Sequence, residues 1–180
     1  MADYIGRHGE STANRDKIFA GGSLDADLTE LGWEQAHEFA TEIVLHMVDF
    51  NRVVSSGLQR ARHTAEPVVA ALGPRVEYAI DERLNEYDLG VLTGQPIASV
   101  PNEEVIHAEG AENPYDFQTR VVEAITAWSE DGVNTLFIAH MSVIRVLQTK
   151  ELGIDPSLFR ELPKLGNAQM HKINTASLMS

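Results

Sequence analysis

The sequence predicts a three-layer α/β/α sandwich built on a mainly parallel sheet. Three observations predict it. Short apolar runs of strand length alternate with longer stretches at helical spacing, the pattern of successive βαβ units. One run, "NTLFIAH" at residues 134–140, is nearly unbroken, as in a strand covered on both faces. The chain has 180 residues and is 43% hydrophobic, enough for one well-packed core.

Taken in order, "YIG" reads as a short strand ending near Arg7. Residues 14–32 contain the adjacent glycines Gly21 and Gly22 and read as a loop. Thr29 is the expected cap of the first helix, whose apolar stripe is Trp33, Ala36, Phe39, Ala40, Ile43, Val44 and Met47. "RVVSS" at 52–56 is the second strand, and 57–72 a helix that Pro67 bends or divides. "RVEYAI" at 75–80 is the third strand. Residues 81–104 have no steady period and read as an irregular excursion; such long loops are often functional. Phe117, Val121, Ile125 and Trp128 form one stripe of a helix that Asp131-Gly132 ends. After the 134–140 strand comes a helix stopped by Gly153, and "NAQMHKINTASL" supplies a final edge strand. With no repeat and no linker, residues 1–180 are expected to form one domain with a small cap around 81–110.

Fourteen Lys and Arg against 27 Asp and Glu give a formal charge of -13. That field repels nucleic acid and anionic membranes, and an anion site needs a local concentration of positive charge. The lack of cysteine excludes disulfides and thiolate chemistry and fits a reducing, cytoplasmic compartment. The opening residues do not read as a signal peptide, and no apolar run approaches the length of a membrane span.

The strand ends carry the chemistry. Arg7 and His8 follow the first strand, Arg60 follows the second, and His140 follows "TLFIA". In open α/β sheets, ligands bind beyond the carboxyl ends of the strands. Parallel strands therefore bring two histidines and two arginines together inside an acidic protein, beside helix N-termini near Gly57 and Ser142. That is a site for a dianion.

Five ordered blocks carry a resemblance: "RHGES" followed by Asn14, "SGLQRARHTA" at 56–65, "LNEYDLGVLTG" at 84–94, "GAENPYDFQTRV" and "AHMSVIR", with "GNAQMHKI" near the end. The chain resembles the histidine phosphatase superfamily, also called phosphoglycerate-mutase-like. The resemblance implies that fold, and a nucleophilic His8 whose tautomer is set by the Gly9 carbonyl. It implies that Arg7 and Arg60 clamp the phosphoryl group, that His140 helps hold it, and that Glu86 is the proton donor and acceptor. Glu82 and Asp88 are nearby rivals for that last role. Asn14 and Ser11 are expected at the phosphoryl oxygens, and Glu10 in support of His8.

Two features depart from the family pattern. Met141 stands where glycine often follows the second histidine, narrowing one wall of the phosphate site. No Arg or Lys lies between Arg83 and Arg120, where mutases tend to be arginine-rich. That scarcity favours hydrolysis of a phosphomonoester over mutase chemistry, which is the alternative; a weakly active phospho-ligand or protein-binding member is the third reading. His8, His140 and Glu86 resemble a zinc ligand set only until the two arginines are counted, so neither metal nor cofactor is expected. The expected partner is a phosphorylated small molecule or phosphoprotein, without nucleic acid or membrane; a homodimer is left open.

Overall fold

The computed structural model describes residues 2–46 and 48–178; Met47 of the expected stripe lies outside them. Five strands, β1 (Tyr4–Arg7), β2 (Arg52–Ser55), β3 (Glu77–Ile80), β4 (Thr135–Ala139) and β5 (Met170–Lys172), form one sheet in the order β3-β2-β4-β1-β5. The pairs β1–β4, β2–β4 and β2–β3 are parallel, and β5 joins β1 antiparallel at one edge. A mainly parallel sheet with layers of helix on both faces is the architecture the alternating pattern predicts.

The period of two in β4 divides the core. Leu136 and Ile138 meet Phe39, Ile43, Ala61 and Val68, from α2 (Glu30–Leu45) and α3 (Gln59–Leu72). Phe137 and Ala139 face the other way, toward Phe117 and Val121 of α4 (Pro114–Trp128) and Val143 and Leu147 of α5 (Met141–Leu152). Every residue of β4 is buried, as its continuous apolar run requires.

Thr29 caps α2 by accepting from the Gly32 amide, and Gly153 ends α5 in the left-handed conformation. Helix α3 runs through Pro67 without dividing, because its buried face, with Ala61, Ala65 and Val68 against the sheet, outweighs one lost backbone bond. Two single-turn helices were not foreseen. Thr12–Arg15 (α1) exists because Ser11 and Asn14 form a capping box, and Thr175–Leu178 (α6) follows the edge strand. The irregular excursion resolves into 3-10 turns at Glu82–Leu84, Gly90–Leu92, Ile97–Ser99 and Asn102–His107. It is anchored rather than loose: Leu84, Tyr87, Leu89 and Val105 enter the core on the α4/α5 side.

One close approach fixes the loop after β1. A Cβ on Gly9 would lie 2.4 Å from the Gly32 carbonyl oxygen, and one on Gly32 would lie 2.0 Å from that of Glu10. The two main chains touch, so neither position accepts a side chain. Gly32→Ala is expected to destabilise the protein by about 3 kcal/mol, a large overpacking cost, read from the urea midpoint. A midpoint unchanged from wild type would show that the crossing yields.

Candidate active site

The register of β1 on β4 pairs Arg7 with Ala139, so the next residues, His8 and His140, leave adjacent strands side by side. The ladder extends one step further: the His8 amide donates to the Ala139 carbonyl at 3.0 Å, and the Ser56 amide to the Ile138 carbonyl at 3.0 Å. The imidazole ring centroids of His8 and His140 lie 5.1 Å apart.

His8 Nδ1 sits 2.6 Å from the Gly9 carbonyl oxygen. A carbonyl only accepts, so Nδ1 carries the proton and Nε2 is left with its lone pair. Thr64 Oγ1 receives the Gly9 amide at 3.0 Å, and Asn167 Nδ2 donates to the His8 carbonyl at 3.0 Å, so the main chain around the ring is held on both sides. His140 is wholly buried; its Nε2 lies 2.6 Å from Ser56 Oγ, while Nδ1 has no partner among the described residues. Burial pushes both histidines well below the ordinary value of 6.5, and the nearby Arg60 and Arg7 push in the same direction. Both rings are neutral.

Arg60 is buried and gives its terminal nitrogens to the carbonyls of Leu24 and Gly21, at 3.1 and 2.9 Å. Arg7 donates to the Leu165 carbonyl at 2.9 Å, and its Nε has no partner among the described residues. Carbonyls hold these guanidinium groups without neutralising them. Burial lowers the pKa of each, and Glu86 is the first carboxylate to offset that. Glu86 accepts from the Tyr87 amide at 2.9 Å and from the Ser142 amide, in the first turn of α5, at 3.2 Å. Its segment is braced from behind. Arg120 donates to the carbonyls of Arg83, Asn85 and Glu86 and pairs with Glu112 at 2.7 Å.

These groups surround a cavity of about 180 Å³ whose wall includes Arg7, His8, Arg60, Glu86, Asn14 and Met141. Ser11 also reaches it, though its hydroxyl oxygen is occupied as the cap of α1. Asn14 spends its carbonyl oxygen on the Ser11 amide and its amide group is free to donate. His140 lies beneath the wall rather than in it. Of the rivals to Glu86, Asp88 caps the Gly90 turn and neither it nor Glu82 faces this cavity. Glu10 does not touch His8; its carboxylate accepts from Thr29, and so steadies the α2 cap against which Gly9 packs. Among the described residues, no group of three His, Asp or Glu side chains forms a metal ligand set.

The family model described as histidine phosphatase superfamily (branch 1) matches residues 4–177. The chain belongs to this superfamily. A Yersinia pestis protein named "Probable phosphoglycerate mutase GpmB" is 30% identical, over 95% of this chain and 83% of its own. Among solved structures, a mycobacterial glucosyl-3-phosphoglycerate phosphatase in complex with VO3 superposes with a TM-score of 0.80 at 26% identity, covering 95% of this chain and 91% of that one. The alpha-ribazole phosphatase from Shigella flexneri gives 0.78 at 25% identity, covering 96% and 89%.

Sequence reasoning about this superfamily member missed part of the wall. Arg145, Arg160 and Lys164 also line the cavity, which overturns the inference of scarce positive charge drawn from the gap between Arg83 and Arg120. Arg145 sits in the "AHMSVIR" block and was visible there; Arg160 and Lys164 lie in a stretch with neither motif nor period. Ser56 stood in a quoted block without a role, and Gly32 gave no signal beyond its spacing from Thr29.

The buried neutral histidines make stability depend on pH with a definite sign. Each takes up a proton on unfolding once the pH falls below 6.5 but stays neutral in the fold. Stability is therefore fully present above that value and is lost as the pH falls toward the depressed folded values, approaching about 1.4 kcal/mol per pH unit for each ring. Urea unfolding between pH 7 and 5 is expected to show this slope, and His140→Asn to reduce it. A flat profile would mean that the rings are charged in the folded protein.

Proposed function

We propose that this protein hydrolyses phosphomonoesters, without a metal, through a phosphohistidine on His8. The observation that carries the reading is the free Nε2 of a neutral, oriented His8 opening into a cavity walled by unneutralised arginines. In the first step Nε2 attacks phosphorus, the ester P–O bond breaks, and the leaving oxygen takes a proton from Glu86. In the second, water attacks phosphorus, gives a proton back to the Glu86 carboxylate, and the N–P bond breaks to release inorganic phosphate. Arg7 and Arg60 hold the equatorial oxygens, the Asn14 amide and Ser11 hydroxyl donate from the α1 side, and His140 backs His8 from beneath the wall. Met141 sets the width of that wall. The reading treats residues 1–180 as one domain in which the segment around 81–110 caps the site and supplies Glu86.

The phosphatase-named structural relatives at 25–26% identity support hydrolysis. A second reading, phosphoglycerate mutase activity, is favoured by the GpmB likeness and by the additional cations of the cavity. It predicts interconversion of 2- and 3-phosphoglycerate, stimulated by a bisphosphorylated primer. No helix among the described residues is long and apolar enough to cross a membrane, in keeping with a substrate met in water.

His8→Ala is expected to lower kcat on an aryl phosphate, assayed with chelator present, by roughly 10³-fold or more. Rapid acid-free quenching of the wild type is expected to trap an acid-labile phosphoryl group on His8. Hydrolysis undiminished in the variant would refute the assignment, and a folded protein that binds phosphate but never forms the adduct would favour the binding-only reading.

A further inference from the structure

Glu86 sits where regular structure gives it no support. Between the 3-10 turns at Glu82–Leu84 and Gly90–Leu92, residues 85–88 belong to neither helix nor strand. A general acid must nonetheless hold its carboxyl within hydrogen-bond reach of the leaving oxygen. The support comes from one guanidinium group on α4. Arg120 gives Nε to Glu112 Oε1 at 2.7 Å and Nη2 to Glu112 Oε2 at 2.9 Å. Its Nη1 donates to the carbonyls of Arg83 and Asn85, at 2.6 and 2.8 Å, and Nη2 also donates to that of Glu86 at 3.3 Å. A guanidinium carries five N–H donors in a rigid fork, and here each has an acceptor.

Glu112 holds the other side of Glu86. Its backbone amide donates to the Asp88 carbonyl at 3.0 Å, and its carboxylate accepts from the Asp88 amide at 3.3 Å. The ion pair therefore grips the main chain from residue 83 to residue 88, with Glu86 between its two holds. The pair is itself seated on the core. The guanidinium carbon of Arg120 lies 4.6 Å over the centroid of the Phe117 ring, and that ring packs edge-on against Tyr87 at 5.2 Å. Both aromatic residues are wholly buried. Arg120 has no place in the wall of the substrate cavity, whereas Glu86 does.

We propose that Arg120 is a positioning residue for proton transfer: clamped to Glu112, it holds the Glu86 carboxyl on the leaving oxygen. The inference rests on the hydrolase reading with Glu86 as proton donor, and deepens it. It has a chemical signature. When the ester P–O bond breaks, the leaving oxygen keeps the bonding pair. An alkyl leaving group must take the Glu86 proton at that moment, whereas 4-nitrophenolate departs as a stable anion. A displaced Glu86 therefore slows alkyl esters and spares the nitrophenyl ester. A fault in folding or in phosphate binding slows both alike. The ratio kcat/KM reports only the steps up to loss of the leaving group, so the later attack of water, in which Glu86 takes the proton back, does not enter.

The test compares 4-nitrobenzyl phosphate with 4-nitrophenyl phosphate, two esters of nearly equal size. Glu86→Gln sets the reference, and is expected to lower kcat/KM on the benzyl ester about 100-fold more than on the phenyl ester, the scale of a lost general acid. Arg120→Gln is expected to show the same selectivity, about 10-fold or more, since the carboxyl remains but is no longer held in place. Arg120→Lys keeps the cation and replaces the fork by a single nitrogen. It is expected to be selective too, and it reads the proposal even if Arg120→Gln fails to fold. Equal losses on both esters, or an Arg120→Lys variant that matches the wild type on the benzyl ester, would overturn the proposal. If Glu86→Gln itself shows no selectivity, the assignment of Glu86 as donor fails and the proposal falls with it. If the wild type turns over neither ester, the hydrolase reading fails and takes both with it.

Discussion

The site depends on one constraint: β1 and β4 are neighbours, parallel, and in register so that Arg7 faces Ala139. Residues 8 and 140 are distant in sequence, and nothing local brings them together. The sheet does, by a chain of backbone hydrogen bonds that ends with the His8 amide on the Ala139 carbonyl. A one-residue slip would turn both imidazoles toward opposite layers, because successive side chains alternate between faces. The buried run of β4 prevents that slip, since Leu136 and Ile138 belong to one core and Phe137 and Ala139 to the other.

Around that pair the protein manages charge by withholding partners. On the surface Arg15, Arg52, Arg83 and Arg120 are claimed by carboxylates, and Arg52 and Arg120 each serve an ion pair and a backbone carbonyl oxygen at once. The cavity arginines are given carbonyls only. A carbonyl fixes the direction of a guanidinium group and leaves its net charge in force, and burial strengthens that charge's reach. Burial first, and that field after it, keep both histidines neutral, so the cations that attract an anion also help preserve a lone pair to attack it.

The parts written as local pattern were legible in the sequence. The alternation of strands and helices, the Thr29 cap, the Gly153 stop and the basic residues at three strand ends all follow from spacing and residue type. What the sequence did not reveal depends on distant contacts. Arg160 and Lys164 join the wall because Arg145 captures the Leu162 and Pro163 carbonyls; no periodicity records such a contact. His140 sits beneath the cavity wall and not in it, a matter of ångströms that no motif encodes. What the missing period of the 81–110 segment did not reveal is its anchoring: Leu84, Tyr87 and Val105 tie it to the core, because aromatic and aliphatic side chains scattered without a period still find apolar company.

The crossing of Gly9 and Gly32 has a mechanical consequence. Where side chains meet, a displaced neighbour is absorbed by a change of rotamer. Here two bare main chains bear on each other, and there is no soft element between them to absorb strain. The first turn of α2 and the loop that presents His8 therefore move as one rigid piece. The outer face of that turn carries Leu31, 47% exposed to solvent, so the backbone that bears on the His8 loop is itself one turn from the surface.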